Sequence, residues 1–240
     1  MRVALLLSLL LPVAAAANES LKLDTAPINT SDAVSIQRGV KVFVNYCLNC
    51  HSATSMRYNR LEDIGLTPAQ IKDNLMFATD KPGAPMMAAM RSADAAQWFG
   101  VPPPDLSVVA RSRGADWLYT YLRSFYRDSA TTTGWNNLIF PNVGMPHVLW
   151  ELQGQQSLKV EERKGEHGTE HVRALTIATP GTMSGREYDA LVADLVNYLV
   201  FMGEPAQQSR MQIGYAVLIF LAVLFVPVYL LKQDYWKDVH

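Results

Sequence analysis

Cys47-Leu48-Asn49-Cys50-His51 is the stretch that decides how this chain is read. Two cysteines separated by two residues can each form a thioether with one vinyl group of a haem. The histidine that follows then lies beneath the iron as an axial ligand. No other cysteine occurs in the 240 residues. A thioredoxin-type dithiol expects this motif after a strand in a βαβ pattern, whereas here it ends a helical pattern. Zinc would need a second close pair of ligands, which His147, His167, His171 and His240 do not supply. A disulfide across two residues would be strained.

Upstream, Ser31-Asp32 can cap a helix in which Ile36, Val40, Phe43 and Cys47 recur on one face, so the cysteines would sit at a rigid helix end. Gly39 inside that helix costs about 1 kcal/mol relative to Ala, and close approach by another backbone would justify it. Residues from about Asn18 to Thr30 have no periodicity and read as an extended arm.

Downstream, Thr67-Pro68-Ala69-Gln70 opens a short helix, and Met86, Met87 and Met90 read as core filler. Three prolines in Gly100-Val101-Pro102-Pro103-Pro104-Asp105-Leu106-Ser107 exclude helix and central strand, leaving a rigid loop that can wall a pocket. Ser107 or Asp105 can cap a following helix carrying Arg111, Arg113, Trp117, Tyr121 and Leu122. Arginines near a haem can pair with its propionates, and ordinary solvated arginines fit the spacing equally well. Met145, between Gly144 and Pro146, lies on backbone that is held without being helical. Iron bound by His on one side commonly takes Met on the other, and His147 competes for that place. A Met ligand, a proline wall and an aromatic surround all favour reduced iron.

Residues from Gly154 to about Gly181 form a charged surface excursion with the look of a hairpin. Ser184-Gly185-Arg186-Glu187 is a capping box opening a helix on which Tyr188, Leu191, Val192, Leu195, Leu199 and Met202 share one face and which stops at Gly203 before Pro205. That helix is expected to pack against the one leading to Cys47. Met211 to Leu231 carries no charge between Arg210 and Lys232 and is long enough to span a bilayer, with Pro227 tolerable there.

The ends define the compartment. A basic start, the apolar run Ala4 to Val13 and the small residues Ala14 to Ala17 read as a bacterial secretory signal removed after about Ala17. The expected organisation is therefore a signal over 1–17, an exported haem domain over 18–209, an anchor over 210–231 and a cytoplasmic tail over 232–240. The expectation is a single-pass protein of the bacterial inner membrane with its head in the periplasm, an orientation to which Lys232 and Lys237 against Arg210 add weak support. A formal net charge of −1 gives no sign of a nucleic-acid surface.

Together these features resemble the cytochrome c1 family, the haem c subunit of the quinol:cytochrome c reductase (cytochrome bc1) complex. The resemblance is carried by Arg38-Gly39-Val40-Lys41-Val42-Phe43 before Cys47-Leu48-Asn49-Cys50-His51-Ser52, by Tyr58, and by Pro103-Pro104-Asp105-Leu106-Ser107 with Arg111 and Arg113. Phe140-Pro141 ahead of Val143-Gly144-Met145-Pro146, Gly181-Thr182-Met183-Ser184, and Glu204-Pro205 before the anchor complete it. It implies a mainly α, class I cytochrome c-like head domain with loop insertions and one C-terminal transmembrane helix. One haem c would be bonded by Cys47 and Cys50, with His51 and Met145 on the iron. Arg113 would meet a propionate, Pro103 and Pro104 would wall the pocket, and Trp117 would stand near the haem where a Tyr is usual. The implied role is an electron relay from the Rieske iron-sulfur protein to a cytochrome c, beside cytochrome b and membrane lipid in a dimeric multi-subunit complex, with no bond-making chemistry in the subunit itself. The family docks its cytochrome through acidic patches. Here residues 18–209 carry 20 acidic against 17 basic side chains, so steering is expected to be weak or local.

Overall fold

Asp32 starts the first helix as expected: its carboxylate accepts the Ser35 amide at 3.0 Å, and α1 runs Ala33–Val42. The computed structural model describes residues 22–165 and 168–238, so the expected signal over 1–17 lies outside the described residues. The chain does not continue as α-helix to the cysteines. Phe43–Cys47 is a single π-turn, a form concentrated at functional sites, which rotates Cys47 away from where an unbroken α-helix would put it.

Helix α1 crosses α7, Gly185–Gly203, at the centre of the core. A Cβ on Gly39 would fall 2.7 Å from the carbonyl carbon of Asp194 and 2.8 Å from Tyr198 Cβ, so the expected close backbone approach is present. Around it the Asp194 carboxylate accepts Ser35 Oγ at 2.6 Å and the Arg38 guanidinium at 2.5 and 2.7 Å. Asn197 donates to Ser35 Oγ at 2.7 Å and accepts the Asn29 amide at 2.8 Å, which fixes the depth at which the helices cross. Phe43 and Tyr198 meet one residue-layer away, ring centroids 5.2 Å apart. The Ser184/Glu187 capping box opens α7 and Gly203 ends it, as expected.

Between these helices lie short elements: β1 (Ala53–Arg57), a 3₁₀ segment Tyr58–Ile64, α2 (Pro68–Leu75), β2 (Pro85–Met86) and α3 (Ser92–Phe99). Thr67 and Gln70 form a capping box on α2. β1 and β2 pair antiparallel. Of the three methionines expected in the core only Met86 is fully buried, while Met87, just past the end of the two-residue strand, is 49% exposed.

The single helix expected after Ser107 is two: α4, Val109–Arg113, and α5, Ala115–Arg123. Gly114 at φ 88°, ψ 155° breaks them, a backbone open essentially to glycine alone. Neither Ser107 nor Asp105 caps α4; Val108 stands at that place without a side-chain bond, and Asp105 binds the loop instead. Helix α5 leads into the antiparallel pair β3 (Phe125–Arg127) and β4 (Trp135–Asn137). A four-residue α6, Trp150–Gln153, precedes the excursion, which is a hairpin of β5 (Gly154–Gly165) and β6 (Gly168–Pro180). The arm before α1 is extended and pinned: Asp24 donates its amide to Thr120 Oγ1 and Ala26 donates to Asp116 Oδ1, each at 2.8 Å.

The last element, α8, covers Gln207–Trp236 and has no buried residue. It is the one described helix long and apolar enough to cross a membrane. At about 1.5 Å per residue it exceeds a bilayer's hydrocarbon core, so it reaches beyond the uncharged stretch at both ends. Gln208 ties its start to the arm, donating to Thr30 O at 2.7 Å and Ser31 Oγ at 3.0 Å. The architecture is a mainly helical head with three two-stranded sheets and one C-terminal membrane helix among the described residues.

Candidate functional site

Immediately after the π-turn the backbone coils tightly, with the Cys50 and His51 amides both donating to Cys47 O at 3.1 and 2.9 Å. That turn brings two free thiols and an imidazole to one end of α1. Burial pushes the Cys47 thiol up to about 12 and also raises Cys50. A redox dithiol shifts the opposite way, its thiol lowered toward neutrality.

His51 is held by the proline loop. Its Nδ1 lies 2.8 Å from the carbonyl oxygen of Pro104, which can only accept, so Nδ1 carries the proton. Nε2 therefore keeps its lone pair. Burial lowers the His51 pKa, against the opposing pull of Pro104 O and Asp105, and this favours the neutral, ligating form. The loop is itself anchored to β1. Asp105 accepts the Thr54 amide at 2.8 Å, Ser107 Oγ accepts the Ser55 amide at 3.0 Å, and Leu106 donates to Ser52 O at 2.8 Å. Pro104 thus acts through its carbonyl.

The same loop touches the Met145 segment. A Cβ on Gly144 would lie 3.1 Å from Phe99 O and 3.5 Å from Val101 Cγ1, so the loop from Phe99 to Ser107 bridges the His51 and Met145 segments. Two buried asparagines hold the irregular backbone ahead of Met145. Asn136 Oδ1 accepts the Asn142 amide at 2.8 Å, and Asn137 Oδ1 accepts those of Ile139 and Phe140 at 3.1 and 3.2 Å. Asn142 takes φ 60°, a left-handed conformation that asparagine tolerates. Met145 Sδ accepts a hydrogen bond from the Tyr121 hydroxyl at 3.4 Å.

His147, the rival donor, is a core residue. It is 2% exposed, its ring stacks on Phe125 at 4.9 Å, and Nε2 lies 2.7 Å from Gln153 Oε1. Burial, only partly offset by Gln153, lowers its pKa to about 4. Arg113 is exposed, with its guanidinium 5.1 Å from the Trp117 ring and 5.8 Å from Phe140, and it has no carboxylate partner among the described residues. Trp117 stacks on Tyr121 at 4.7 Å. The structural roles of Asn136, Asn137 and His147 were not expected. The Asn-Asn pair inside an apolar run was the available signal, since Asx side chains bond nearby backbone.

Two thiols and one imidazole nitrogen with its tautomer set are the donors that attach and ligate a haem c, and a thioether sulfur is one of the side chains that can take its other axial position. Among the described residues no group of three or more His, Cys, Asp or Glu is placed to hold a bare metal ion. The model of the Cytochrome C1 family matches residues 24–171 and 180–239. The chain belongs to the cytochrome c1 family. Membership implies a haem c subunit of the cytochrome bc1 complex, and with α8 as anchor it fits an inner-membrane protein. Among similar proteins is one named ammonia monooxygenase gamma subunit from Nitrosomonas europaea, 52% identical over 98% of this chain and 97% of that protein. The cytochrome c1 of Allochromatium vinosum is 48% identical over 91% of this chain and 90% of its own length. That of Rhodospirillum rubrum is 28% identical over 87% and 83%. The residues left between the two matched family blocks, 172–179, lie in β6 of the hairpin.

Proposed function

We propose that this chain is a membrane-anchored monohaem cytochrome that relays single electrons from the Rieske iron-sulfur protein to a cytochrome c within a quinol:cytochrome c reductase complex. The observation that carries this is the His51 Nδ1 bond to Pro104 O, which orients the ring and leaves Nε2 as a ligand. Cys47 and Cys50 would hold one haem covalently, and His51 and Met145 would fill its axial positions. When bound, the haem supplies a one-electron iron couple. With both axial positions filled, the chain moves electrons and makes or breaks no bonds, so the catalytic label belongs to the complex.

The remaining residues have subsidiary roles. Pro103 and Pro104 wall the pocket, and Arg113, free of any described carboxylate, is available for a propionate. Trp117 packs the space between Arg113 and Tyr121. A signal over 1–17 would export the head to the periplasm, α8 would sit beside cytochrome b, and the tail would end in the cytoplasm. The assembly would be a dimer of multi-subunit units.

The name of the Nitrosomonas relative favours a second reading, a subunit of an ammonia-oxidising membrane assembly. Affinity purification of the full chain from its native membrane separates the two. Recovery with a b-type cytochrome and a Rieske protein supports the relay, and recovery with an oxygenase and neither of them rejects it. Recovery with a terminal oxidase alone would make the chain a tethered electron shuttle instead. The ligand assignment is tested by the near-infrared sulfur-to-iron band. Wild type should show it, Met145→Leu should lose it while keeping covalent haem, and carbon monoxide binding to the native reduced protein would mean an open site.

A further inference from the structure

Tyr121 presents a polar group that packing alone does not require. The residue is 8% exposed, and its ring is fixed by a stack on Trp117 at 4.7 Å and by edge contacts with Phe125 at 5.0 Å and Phe140 at 6.5 Å. Three aromatic neighbours leave the hydroxyl little room to swing. Its partner among the described residues is Met145 Sδ at 3.4 Å, a weak acceptor. A phenylalanine would fill the same box without burying a hydroxyl, which costs free energy unless well bonded. The hydroxyl is therefore better explained by what it does to the sulfur than by what it adds to the core.

We infer that Tyr121 tunes the axial sulfur: by donating to Met145 Sδ it withdraws electron density from the thioether, weakens its support of the oxidised iron and raises the reduction potential. This rests on Met145 being the ligand, as proposed above. Tyr121 acts through Met145, the one sulfur its hydroxyl reaches among the described residues. Its contribution adds to that of the Arg113 cation at the outer end of the same aromatic column, 5.1 Å from Trp117.

The test is a redox titration of the full-length protein in detergent, with the near-infrared band recorded on the same samples, for wild type, Tyr121→Phe, Tyr188→Phe and Met145→Leu. Tyr188 is the control, since its buried hydroxyl bonds Leu122 O at 2.8 Å, away from the sulfur. Tyr121→Phe should keep the band and lower the reduced-to-oxidised ratio at fixed ambient potential by roughly three- to fivefold, about 30–40 mV at 59 mV per tenfold. Tyr188→Phe should lose stability without that shift. An unchanged potential in Tyr121→Phe, or the same shift in Tyr188→Phe, overturns the inference. So does loss of the band in Tyr121→Phe, because the hydroxyl would then be holding the sulfur in place and not polarising it. A band that survives Met145→Leu fails the ligand assignment separately, whatever Tyr121→Phe does. Should Tyr121→Phe not accumulate, Tyr121→Met gives the second readout: it removes the same hydroxyl, so the potential should fall as for phenylalanine with the band kept, and an unchanged potential overturns the inference.

Discussion

Replacing Gly39 with alanine should be among the most damaging one-carbon changes this protein can suffer. On helix propensity alone the substitution would stabilise α1 by about 1 kcal/mol. The tertiary structure reverses the sign. The added methyl would lie 2.7 Å from the Asp194 carbonyl carbon and 2.8 Å from Tyr198 Cβ, and would meet the Asp194 carbonyl oxygen closer still, where ordinary contact begins at 3.4 Å. None of these atoms is the free end of a flexible side chain. Restoring contact means parting α1 from α7 by about 1 Å, an overpacking cost of about 3 kcal/mol where backbone meets backbone. Such a shift also stretches the Ser35, Arg38 and Asn197 bonds around Asp194, worth about 1–2 kcal/mol more when the acceptor is charged and shielded. Setting the propensity gain against these leaves a net loss of about 3–4 kcal/mol, or roughly 6–16 °C in melting temperature for a head of this size. Thermal melts of the full-length protein in detergent, followed by far-ultraviolet dichroism and by haem absorbance, measure it. Gly185→Ala is the control, because a methyl there meets nothing within 4 Å. A Gly39→Ala protein that melts within about 1 °C of wild type, or above it, would refute the claim that the two backbones touch.

Two further substitutions probe the site's supports. His147, buried with a pKa of about 4 against 6.5 in the unfolded chain, is neutral in the fold, so the unfolded state binds more protons between those values. Its contribution is complete above pH 6.5, is lost as pH falls toward 4, and amounts to about 3 kcal/mol. His147→Phe should therefore flatten stability between pH 6.5 and 4 in urea titrations while costing about 1–2 kcal/mol at pH 7 for the unpaired Gln153 oxygen. An undiminished slope would show that another group carries the acid limb. Gly114→Ala meets no atom within 4 Å, so its cost, about 2 kcal/mol, should come from backbone strain alone. A neutral result in the same melts would mean that the break between α4 and α5 is not fixed at that glycine.

The site was legible in the sequence where chemistry depends on spacing along the chain. A C-x-x-C-H run carries its thiols and imidazole within one turn, a capping box needs four consecutive residues, and an uncharged stretch bounded by Arg210 and Lys232 needs only its length. Gly39 signalled a close approach without naming the other backbone, since any partner would satisfy a missing Cβ. The helix break at Gly114 was missed because glycine inside a periodic run is tolerated often enough that the period outweighs it. The π-turn was missed because the apolar spacing from Ile36 to Cys47 does not distinguish one extra residue per turn at its end.

Met145 and His147 show where reading along the chain stops. Two residues apart on one irregular loop, both can bond iron, and nothing in their spacing separates them. In the folded chain His147 is enclosed by Phe125, Trp135, Tyr188 and Gln153, side chains drawn from four separate elements, while the Met145 sulfur faces Tyr121 beside the loop that touches the His51 carbonyl partner. Likewise no pattern announced that Pro104 would serve through its carbonyl, because the acceptor and the imidazole lie 53 residues apart. Local covalent spacing and one-dimensional hydropathy were enough to read off the two thiols, the histidine beside them, the helices that cross in the core and the membrane-length helix. Which tautomer His51 takes, which donor is walled off and what the Tyr121 hydroxyl reaches were decided only by tertiary structure, since each depends on contacts between segments that meet only when the chain folds.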